Sequence, residues 1–297
     1  MPDTEDAWTI GRLLTWTTDF LRDRGADSPR LDAEVLLAEA LGCQRIELYT
    51  AFEQIATEET RSAFRELVRR RAEGMPVAYL VGRREFYSLA FHVTPDVLIP
   101  RPETELLVVR LLDLAKQRKS DSPPRIADVG TGSGIIAICA AKQLPDCRVT
   151  AIDLSREALD VARRNASEHD VEDRIEFVQG DLLEPVAAES RFDFVASNPP
   201  YVTTSEWTGL ARDVKDFEPR MALDAGVNGT EVIKRLIPQA ATRLKPGGHL
   251  LIEIGPSISE AVESLLDQTE RLERGPTIKD LARLPRIVQA ELTSDAS

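Results

Sequence analysis

The fold of this 297-residue chain is decided by RIADVGTGSGIIAICAAKQL, residues 125–144. The segment begins as a short apolar strand, passes through glycines at positions 130, 132 and 134, and continues as an apolar helix. Glycine allows a sharp backbone turn and the close approach of a ligand. A strand, a glycine loop and a helix in this order predict the first βα unit of a parallel sheet.

The same alternation of strand and helix continues downstream and predicts an α/β fold with a doubly wound, mostly parallel sheet. The further parallel strands are RVTAIDL (148–154), RIEFVQGD (174–181), RFDFVASN (191–198) and HLLIEIG (249–255). Near the end, a strand-like segment around LERGPTI (272–278) precedes RIVQAEL (286–292) with no helix between them. We therefore expect seven strands, of which the last two form an antiparallel edge, and a disordered tail, TSDAS (293–297).

Residues 1–78 predict a small all-α domain in front of this sheet. Apolar residues recur at three- and four-residue intervals in LDAEVLLAEALG (31–42), and Gly42 is a typical helix stop. TEETRSAFRELVRRRAEG (57–74) carries a second such pattern, which ends at Gly74. No strand pattern interrupts this part of the chain.

Residues 79–98 are predicted to link the two parts as a β-hairpin. The segment YLVGRREFYSLAFHV has alternating apolar residues around Gly82 and Ser88. The proline-containing segment VLIPRPETE and an amphipathic helix follow it. Residues 99–297 are therefore assigned to the α/β domain.

Composition and charge exclude several classes of protein. No apolar run approaches the roughly 20 residues of a membrane span, and the acidic N-terminus lacks the layout of a signal peptide. These features predict a cytoplasmic protein. The net charge of −13 argues against a nucleic-acid substrate, because proteins that bind phosphate backbones usually carry a basic face. A single basic cluster at residues 65–71 is interpreted as a solvated helix face.

Cysteine and histidine spacing indicates neither a metal site nor a disulfide framework. The chain has three cysteines and three histidines, none at ligand spacing: Cys43, Cys139, Cys147, His92, His169 and His249. We expect buried or exposed structural roles for them, and no bound metal.

The glycine loop DVGTGSG (128–134) differs from phosphate-binding loops. A dinucleotide fingerprint would have its third glycine at position 135, which is isoleucine, and a P-loop would have a Lys-Ser or Lys-Thr pair. Asp153 ends the next strand, where a carboxylate can accept hydrogen bonds from both ribose hydroxyls. Asp181 ends the third strand and is placed to meet the exocyclic amine of adenine. These positions predict a nucleoside site for S-adenosylmethionine; the alternative is that both aspartates only cap helices.

SNPPY (197–201) follows the fourth strand and brings Asn198 to the same sheet edge. A planar NH₂ group is a poor nucleophile unless acceptors hold both of its N–H bonds and let the nitrogen pyramidalise. The Asn198 side-chain oxygen and the Pro199 carbonyl are two such acceptors, and Pro199 and Pro200 make the loop rigid. Tyr201 can pack on the planar group. The loop is therefore interpreted as a clamp for a planar NH₂; the alternative is a stiff turn.

With these motifs the chain resembles the HemK/PrmC protein-glutamine N5-methyltransferases, which act on peptide-chain release factors, over nearly its whole length. DVGTGSG and SNPPY are shared with the wider class of N-methyltransferases that also act on DNA adenine and ribosomal guanine. More specific are GRREFYSLAFHVTPDVLIPRPETE (82–105), DFEPRMALDAGVNG (216–229) and KDLARLPRIVQA (279–290). DAEVLLAEALG and RRRAEGMPVAYLVG resemble the helical domain with which the family docks the release factor.

The resemblance implies a Rossmann-like class I S-adenosylmethionine-dependent methyltransferase fold and a pocket for the glutamine of the release factor's Gly-Gly-Gln loop. It implies that Asn198, Pro199, Pro200 and Tyr201 form this pocket, with Phe91 as a second wall. An ordinary core position in the hairpin is the alternative for Phe91. The cofactor residues that it implies are Gly130, Thr131, Gly132, Ser133, Gly134, Asp153, Asp181, Leu182 and Asn198, with Ile99–Glu103 at the border. Leu182 departs from the family, which often has an aromatic residue there.

Two other substrate classes stay open on the sequence. A ribosomal-protein glutamine would use the same clamp, as would an exocyclic amine of a DNA or RNA base. A nucleic-acid enzyme would need a basic groove or a target-reading domain, which the acidic composition does not favour. A non-catalytic module would show lesions in the glycine loop or the clamp, and there are none. We expect a monomer that meets its release factor through both domains.

Overall fold

The structure is a computed structural model, and residues 7–120 and 122–294 are described. The helices are α1 (Ile10–Asp23), α2 (Pro29–Leu41), α3 (Glu47–Thr50), α4 (Glu58–Ala72), α5 (Val77–Val81), α6 (Thr104–Gln117), α7 (Ile135–Gln143), α8 (Arg156–Glu168), α9 (Thr204–Trp207), α10 (Arg212–Phe217), α11 (Glu231–Arg243) and α12 (Ser259–Asp267). The strands are β1 (Arg83–Phe86), β2 (Leu89–His92), β3 (Arg125–Val129), β4 (Arg148–Asp153), β5 (Ile175–Gln179), β6 (Phe192–Ser197), β7 (Leu244–Glu253), β8 (Leu272–Arg274), β9 (Ile278–Lys279) and β10 (Pro285–Leu292).

The main sheet has the order β5-β4-β3-β6-β7-β10-β8, and β9 pairs with β10. The five strands from β3 to β7 are parallel, whereas β10 is antiparallel to β7, β8 and β9. The prediction of a mostly parallel sheet with an antiparallel C-terminal edge is confirmed. The chain runs outward from β3 to β4 and β5, and then returns to β6 on the other side of β3. The carboxyl ends of β3 and β6 therefore flank a topological switch point, where open α/β sheets bind ligands.

The described part of the sheet has eight strands instead of the expected seven, because the segment LERGPTI forms two short strands. Gly275 and Pro276 separate β8 from β9, and proline has no N–H for a strand ladder. The break is held against β10 by side-chain and backbone bonds. Gly275 N donates to the Gln289 carbonyl at 3.0 Å, and Gln289 Nε2 donates to the Pro276 carbonyl at 2.7 Å. Of the tail predicted to be disordered, residues 295–297 lie outside the described part.

Helices cover both faces of the sheet, so alternate residues of one strand enter different cores. In β3, Ile126 belongs to a cluster that includes residues of α6 and α7, while its neighbour Ala127 belongs to a cluster with α11 and α12. Phe194 and Val195 of β6 divide in the same way. Burial on both faces explains why these strands are continuous apolar runs in the sequence.

The predicted hairpin is present as β1 and β2. Tyr87 and Ser88 form its two-residue connection with φ values of 51° and 59°, the left-handed backbone of a type I′ turn. Gly82, which the sequence placed in the hairpin, ends α5 instead, with φ of 69°. A glycine after a helix often takes this left-handed conformation because it has no Cβ.

The helical unit is built around α1, α2 and α4. Their buried apolar side chains form one core that includes Leu14, Leu36, Leu37 and Phe64. The predicted helix ends hold: α2 stops before Gly42 and α4 stops two residues before Gly74. The spacing of apolar residues and the positions of the helix-ending glycines were therefore sufficient to predict these two helices.

The described chain divides into two compact units. One combines the residues up to Arg83 with Ala211–Phe217, and the other combines Arg84–Leu210 with the residues from Glu218 onward. The segment Ala211–Phe217, which the sequence assigned to the α/β domain, belongs to the helical unit because Phe217 packs beside Gly74. The functional boundaries at residues 78 and 98 stay predictions. No helix in the described ranges is long and apolar enough to span a bilayer.

Candidate active site

A cavity of about 250 Å³ lies at the carboxyl ends of β3, β4 and β6. Of the residues predicted for the cofactor and substrate, it is lined by Gly130, Thr131, Gly132, Ser133, Asp153, Asp181, Leu182, Asn198 and Pro200. Gly134, Pro199, Tyr201 and Phe91 are outside the lining. The structure therefore brings together most of the glycine loop, both predicted carboxylates, and Asn198 and Pro200 of the SNPPY segment.

The glycine loop takes a left-handed backbone at all three glycines. Gly130, Gly132 and Gly134 have φ of 75°, 55° and 86°. The N–H groups of Gly130 and Thr131 both donate to the Ile152 carbonyl, at 2.8 and 2.9 Å, so the loop is tied to β4. A Cβ on Gly134 would lie 3.0 Å from Ile138 Cδ1. Gly134 thus allows close packing of α7, and it does not face the cavity.

Asp128 lies fully buried beneath the loop and braces it. Its Oδ2 accepts hydrogen bonds from the Thr131 hydroxyl at 2.6 Å and from Ala137 N at 3.0 Å, while Oδ1 has no hydrogen-bond partner in the part of the chain that is described. Burial raises the pKa of Asp128 to about 7, and nearby Asp153 raises it further. The sequence analysis did not single out this residue. The feature that could have identified it is a carboxylate among the apolar residues of β3.

Asp153 and Asp181 line the cavity from neighbouring strand ends. Asp153 Oδ2 accepts from Gly132 N at 2.8 Å and Oδ1 accepts from Ser155 N at 3.0 Å. Burial raises the pKa of Asp153 above its ordinary value. Asp181 forms an ion pair with Arg235, which also lines the cavity. Both carboxylates are thus held in place, Asp153 by backbone donors and Asp181 by a guanidinium.

Leu182 lines the cavity with φ of 51°. A side chain other than glycine or asparagine seldom takes this left-handed backbone, and the conformation costs about 1–2 kcal/mol. Leu182 contacts the apolar core only in part. Such strain is often found at functional sites, and the contact of Leu182 with the cofactor stays a prediction.

Asn198 follows β6 and is held on one side only. Its Nδ2 donates to Thr104 Oγ1 at 3.2 Å, and within the described chain its Oδ1 accepts no hydrogen bond. The Asn198 backbone carbonyl lies close to Gly130, since a Cβ there would be 4.0 Å from it. One amide oxygen of the cavity wall is therefore available to a ligand.

Tyr201 does not line the cavity, and its hydroxyl faces the Glu253 carboxyl. Its Oη lies 3.5 Å from Glu253 Oε1, and its ring packs on Gly255, where a Cβ would be 3.0 Å from Cδ2. Burial and the Glu253 charge raise the pKa of the Tyr201 hydroxyl. The predicted stacking of Tyr201 on a substrate amide stays a prediction.

Thr104 and Glu253 form the part of the site that sequence reasoning missed. Both are buried, with 0% and 1% of their surface exposed. Burial raises the pKa of the Glu253 carboxyl to about 7, and the nearby Thr104 hydroxyl acts in the opposite direction by favouring the ionised form. Glu253 Oε2 has no hydrogen-bond partner in the described structure. A glutamate inside the apolar strand HLLIEIG was the available signal.

Phe91 lies in the core of the α/β unit. It is fully buried, with its ring centroid 6.2 Å from that of Phe86 and 5.2 Å from that of His169. The structure does not bring Phe91 to the cavity. Its surroundings are those of the core residue that was the alternative to a pocket wall.

Two family models match separate parts of the chain. The PrmC N-terminal domain matches residues 12–82, and the methyltransferase small domain matches residues 104–213. The second match covers the glycine loop and the SNPPY segment.

Curated relatives match nearly the whole chain. A release factor glutamine methyltransferase of Rhodopirellula baltica is 51% identical over 285 residues, which are 96% of each chain. This chain belongs to the release factor glutamine methyltransferase family. Proteins of the same name from Koribacter versatilis and Geobacter sulfurreducens are 43% and 39% identical, over 94% and 91% of this chain and 97% and 92% of theirs. The predictions of the family, of glutamine methyl transfer and of S-adenosylmethionine as cofactor are confirmed.

Solved structures share the fold of this methyltransferase. The catalytic domain of hMettl16, in complex with hairpin 6 of the MAT2A 3'UTR, gives a TM-score of 0.55 at 18% identity. The match covers 78% of this chain and 84% of that one. At such identity the likeness establishes the class I methyltransferase fold alone, and the fold prediction is confirmed.

The cavity of the methyltransferase has the chemistry that its cofactor needs. Glycine backbone, the carboxylates of Asp153 and Asp181, and the apolar side chains of Leu154 and Leu182 all line it. Carboxylates also suit the positive charge of S-adenosylmethionine. No group of His, Cys, Asp and Glu that could hold a metal is present among the described residues.

Proposed function

We propose that this enzyme methylates the side-chain nitrogen of the glutamine in the Gly-Gly-Gln loop of a release factor, and that Asn198 and the Pro199 carbonyl clamp this nitrogen. The observation that carries the proposal is the free Oδ1 of Asn198 in the cavity wall, beside the glycine loop. Within the described chain, the Pro199 carbonyl also accepts no hydrogen bond.

The clamp makes an amide nitrogen reactive by removing its planarity. An amide lone pair is delocalised into the carbonyl and is a weak nucleophile. Two acceptor oxygens hold the two N–H bonds to one side, so that the lone pair is directed away from them. Pro199 and Pro200 fix the backbone torsions of the loop, and the acceptors are therefore preorganised before the substrate arrives.

S-adenosylmethionine supplies the methyl group on a positively charged sulfur when it is bound. Gly130–Gly132 allow close approach of a ligand, and Asp153 is placed to accept hydrogen bonds from ribose hydroxyls. Asp181 would accept from an adenine amine while it keeps its ion pair with Arg235. Leu182 packs on the ring with aliphatic carbon in place of an aromatic face.

We further propose that the helical unit docks the release factor through an aromatic groove. A groove of about 440 Å³ is lined by Trp8, Trp16, Phe20, Phe64, Val68, Arg24, Arg61, Arg65, Arg69 and four further residues of this unit. Trp16 is 51% exposed and stacks on Phe20 with a centroid distance of 5.1 Å. Exposed stacked aromatic side chains are typical of interface hot spots.

Four arginines line this groove, although the chain as a whole is acidic. Arg61 and Arg69 form ion pairs with glutamates of the same unit, one of which, Glu73, also lines the groove. Arg61, Arg65 and Arg69 follow at four-residue intervals on α4 and all line the groove. Arg24 lies over the Phe20 ring at 4.8 Å. The sequence interpreted the arginines of α4 as a solvated face. Their charge suits an acidic surface of the release factor that carries an apolar side chain.

The test is methyl transfer from radiolabelled S-adenosylmethionine to a purified release factor. A release factor whose loop glutamine is replaced is the control. Label on the first protein and not on the second is the expected result. Label on a ribosomal protein or a nucleic acid instead would contradict the proposed substrate while keeping the clamp.

The Asn198→Ala variant tests the clamp in the same assay. We expect kcat to fall by at least about 100-fold, because one preorganised acceptor is lost. We propose that the enzyme acts as a monomer, without nucleic acid, in the cytoplasm where release factors work.

A further inference from the structure

The orientation of the Asn198 amide is set by its neighbours. An asparagine side chain presents a donor at one end and an acceptor at the other, and which end faces a ligand follows from the hydrogen bonds it makes. Here Nδ2 is engaged by Thr104 Oγ1 at 3.2 Å. The opposite orientation would turn a donor toward the substrate NH₂, and the clamp would lose one of its acceptors.

The direction of the Thr104 hydroxyl depends in turn on Glu253. The Thr104 hydroxyl favours the ionised form of Glu253, and because a carboxylate can only accept hydrogen bonds, an ionised Glu253 favours the orientation in which the Thr104 proton points toward it. The lone pairs of Thr104 Oγ1 then remain for a donor, and Asn198 Nδ2 is the donor that is present. Both residues are buried, which shields their interaction from bulk solvent.

We propose that Thr104 and Glu253 are positioning residues, which act in sequence to hold Asn198 with its side-chain oxygen free for the substrate nitrogen. The proposal rests on the clamp role of Asn198 proposed above. Thr104 begins α6 and Glu253 ends β7, so two elements far apart in sequence meet behind the residue that follows β6. Neither residue lines the cavity, and each acts through its neighbour.

The groups that face Glu253 come from three other elements. Tyr201 in the loop after β6 lies 3.5 Å away, and the carboxylate of Glu103, before α6, raises the pKa of Glu253. Arg286 on β10 lowers it, and Thr104 lowers it through the hydrogen bond. Burial is the largest effect, and the carboxyl therefore titrates near neutral pH.

This titration has a consequence for turnover. A protonated Glu253 can donate to Thr104 Oγ1, which leaves the Thr104 proton to point at Asn198 and favours the reversed amide. We therefore expect kcat to rise with pH through about 7 as Glu253 ionises. Asp128 also titrates near 7, so a variant of each carboxyl is needed.

The first experiment compares Thr104→Val with Thr104→Ser in steady-state methylation of the release factor. Valine has the same shape as threonine but no hydroxyl. We expect kcat of Thr104→Val to fall about 10-fold, with KM for both substrates within about 2-fold, because only the orientation of the acceptor is lost. Thr104→Ser retains the hydroxyl and should recover most of kcat. An unchanged kcat in Thr104→Val would overturn the proposal.

The second experiment measures kcat between about pH 6 and about pH 8.5 for the wild type, Glu253→Gln and Asp128→Asn. The rise through 7 should disappear in Glu253→Gln and persist in Asp128→Asn; its persistence in Glu253→Gln would overturn the proposal. This measurement decides the question if Thr104→Val does not fold. Asn198→Ala separates the two proposals: if that variant keeps its kcat, both the clamp and the positioning role fail. If it is inactive while the Thr104 and Glu253 variants behave as wild type, only the positioning role fails.

Discussion

At the scale of single residues, the site is unusual for its buried carboxyls. Among the described residues, Asp128 and Glu253 each have one carboxyl oxygen without a hydrogen-bond partner, and burial raises the pKa of each to about 7. A buried acid with a raised pKa binds a proton more tightly in the folded chain than in the unfolded one. Its contribution to stability is present below the ordinary carboxyl pKa and is lost as the pH rises through 7.

We predict that Asp128→Asn flattens this pH dependence. The free energy of unfolding of the wild type should fall between pH 5 and 8, and the fall should be smaller in the variant, because asparagine keeps an acceptor for Thr131 and Ala137 without a charge. Urea denaturation at four pH values measures it. An equal fall of unfolding free energy with pH in the two proteins would contradict a raised pKa of Asp128.

The glycines of the loop differ in the atoms that an added Cβ would contact. Gly134→Ala should lose about 2–3 kcal/mol of unfolding free energy, since its φ is positive and a Cβ would lie 3.0 Å from Ile138 Cδ1 and 3.2 Å from Ala162 Cβ. Gly132→Ala is the matched control, with positive φ but nothing within 4 Å, and should lose about 1 kcal/mol. Thermal unfolding compares them; a larger loss for Gly132→Ala would refute the packing argument.

At the scale of elements, the sequence predicted those that depend on near neighbours. Helix stops at Gly42 and Gly74, the βα units and the hairpin follow from local spacing and turn residues. The division of LERGPTI into two strands was missed, because it depends on bonds to Gln289 of β10. Ala211–Phe217 was assigned to the wrong unit for the same reason: its partner near Gly74 is distant in sequence.

The hairpin turn allows a prediction at this scale. Ser88 is exposed and has φ of 59° in a type I′ turn, for which glycine is better suited. Ser88→Gly should raise the unfolding free energy by about 0.5 kcal/mol, because the left-handed strain is relieved. Ala90→Gly, on the exposed side of β2, should lower it by about 0.5–1 kcal/mol. Destabilisation by Ser88→Gly, measured by urea denaturation, would contradict the turn assignment.

At the scale of the whole molecule, the acidic net charge contrasts with the arginines of one groove. The chain carries a net charge of −13, yet arginines line the aromatic groove of the helical unit. If this groove docks an acidic part of the release factor, binding should depend on salt while chemistry does not, since salt screens exposed charges.

We predict that KM for the release factor rises several-fold between about 50 and about 300 mM salt, with kcat unchanged. Arg65→Glu should raise KM about 10-fold at low salt and reduce its salt dependence. Lys116→Glu, an equal charge change at an exposed position of α6 in the other unit, is the control. Equal effects of the two substitutions on KM would contradict docking in the groove.

The sequence by itself determined the class of sheet, the glycine loop, the two carboxylates at strand ends and the position of Asn198. These depend on spacing within single βα units, and the carboxyl ends of neighbouring parallel strands must share one edge. Only the tertiary structure decided that Phe91 lies in the core, that Thr104 contacts Asn198 and that Glu253 contacts Tyr201. Thr104 and Asn198 are 94 residues apart, and Tyr201 and Glu253 are 52 apart. Contacts over such separations are set by how strands and helices pack, which no local pattern contains.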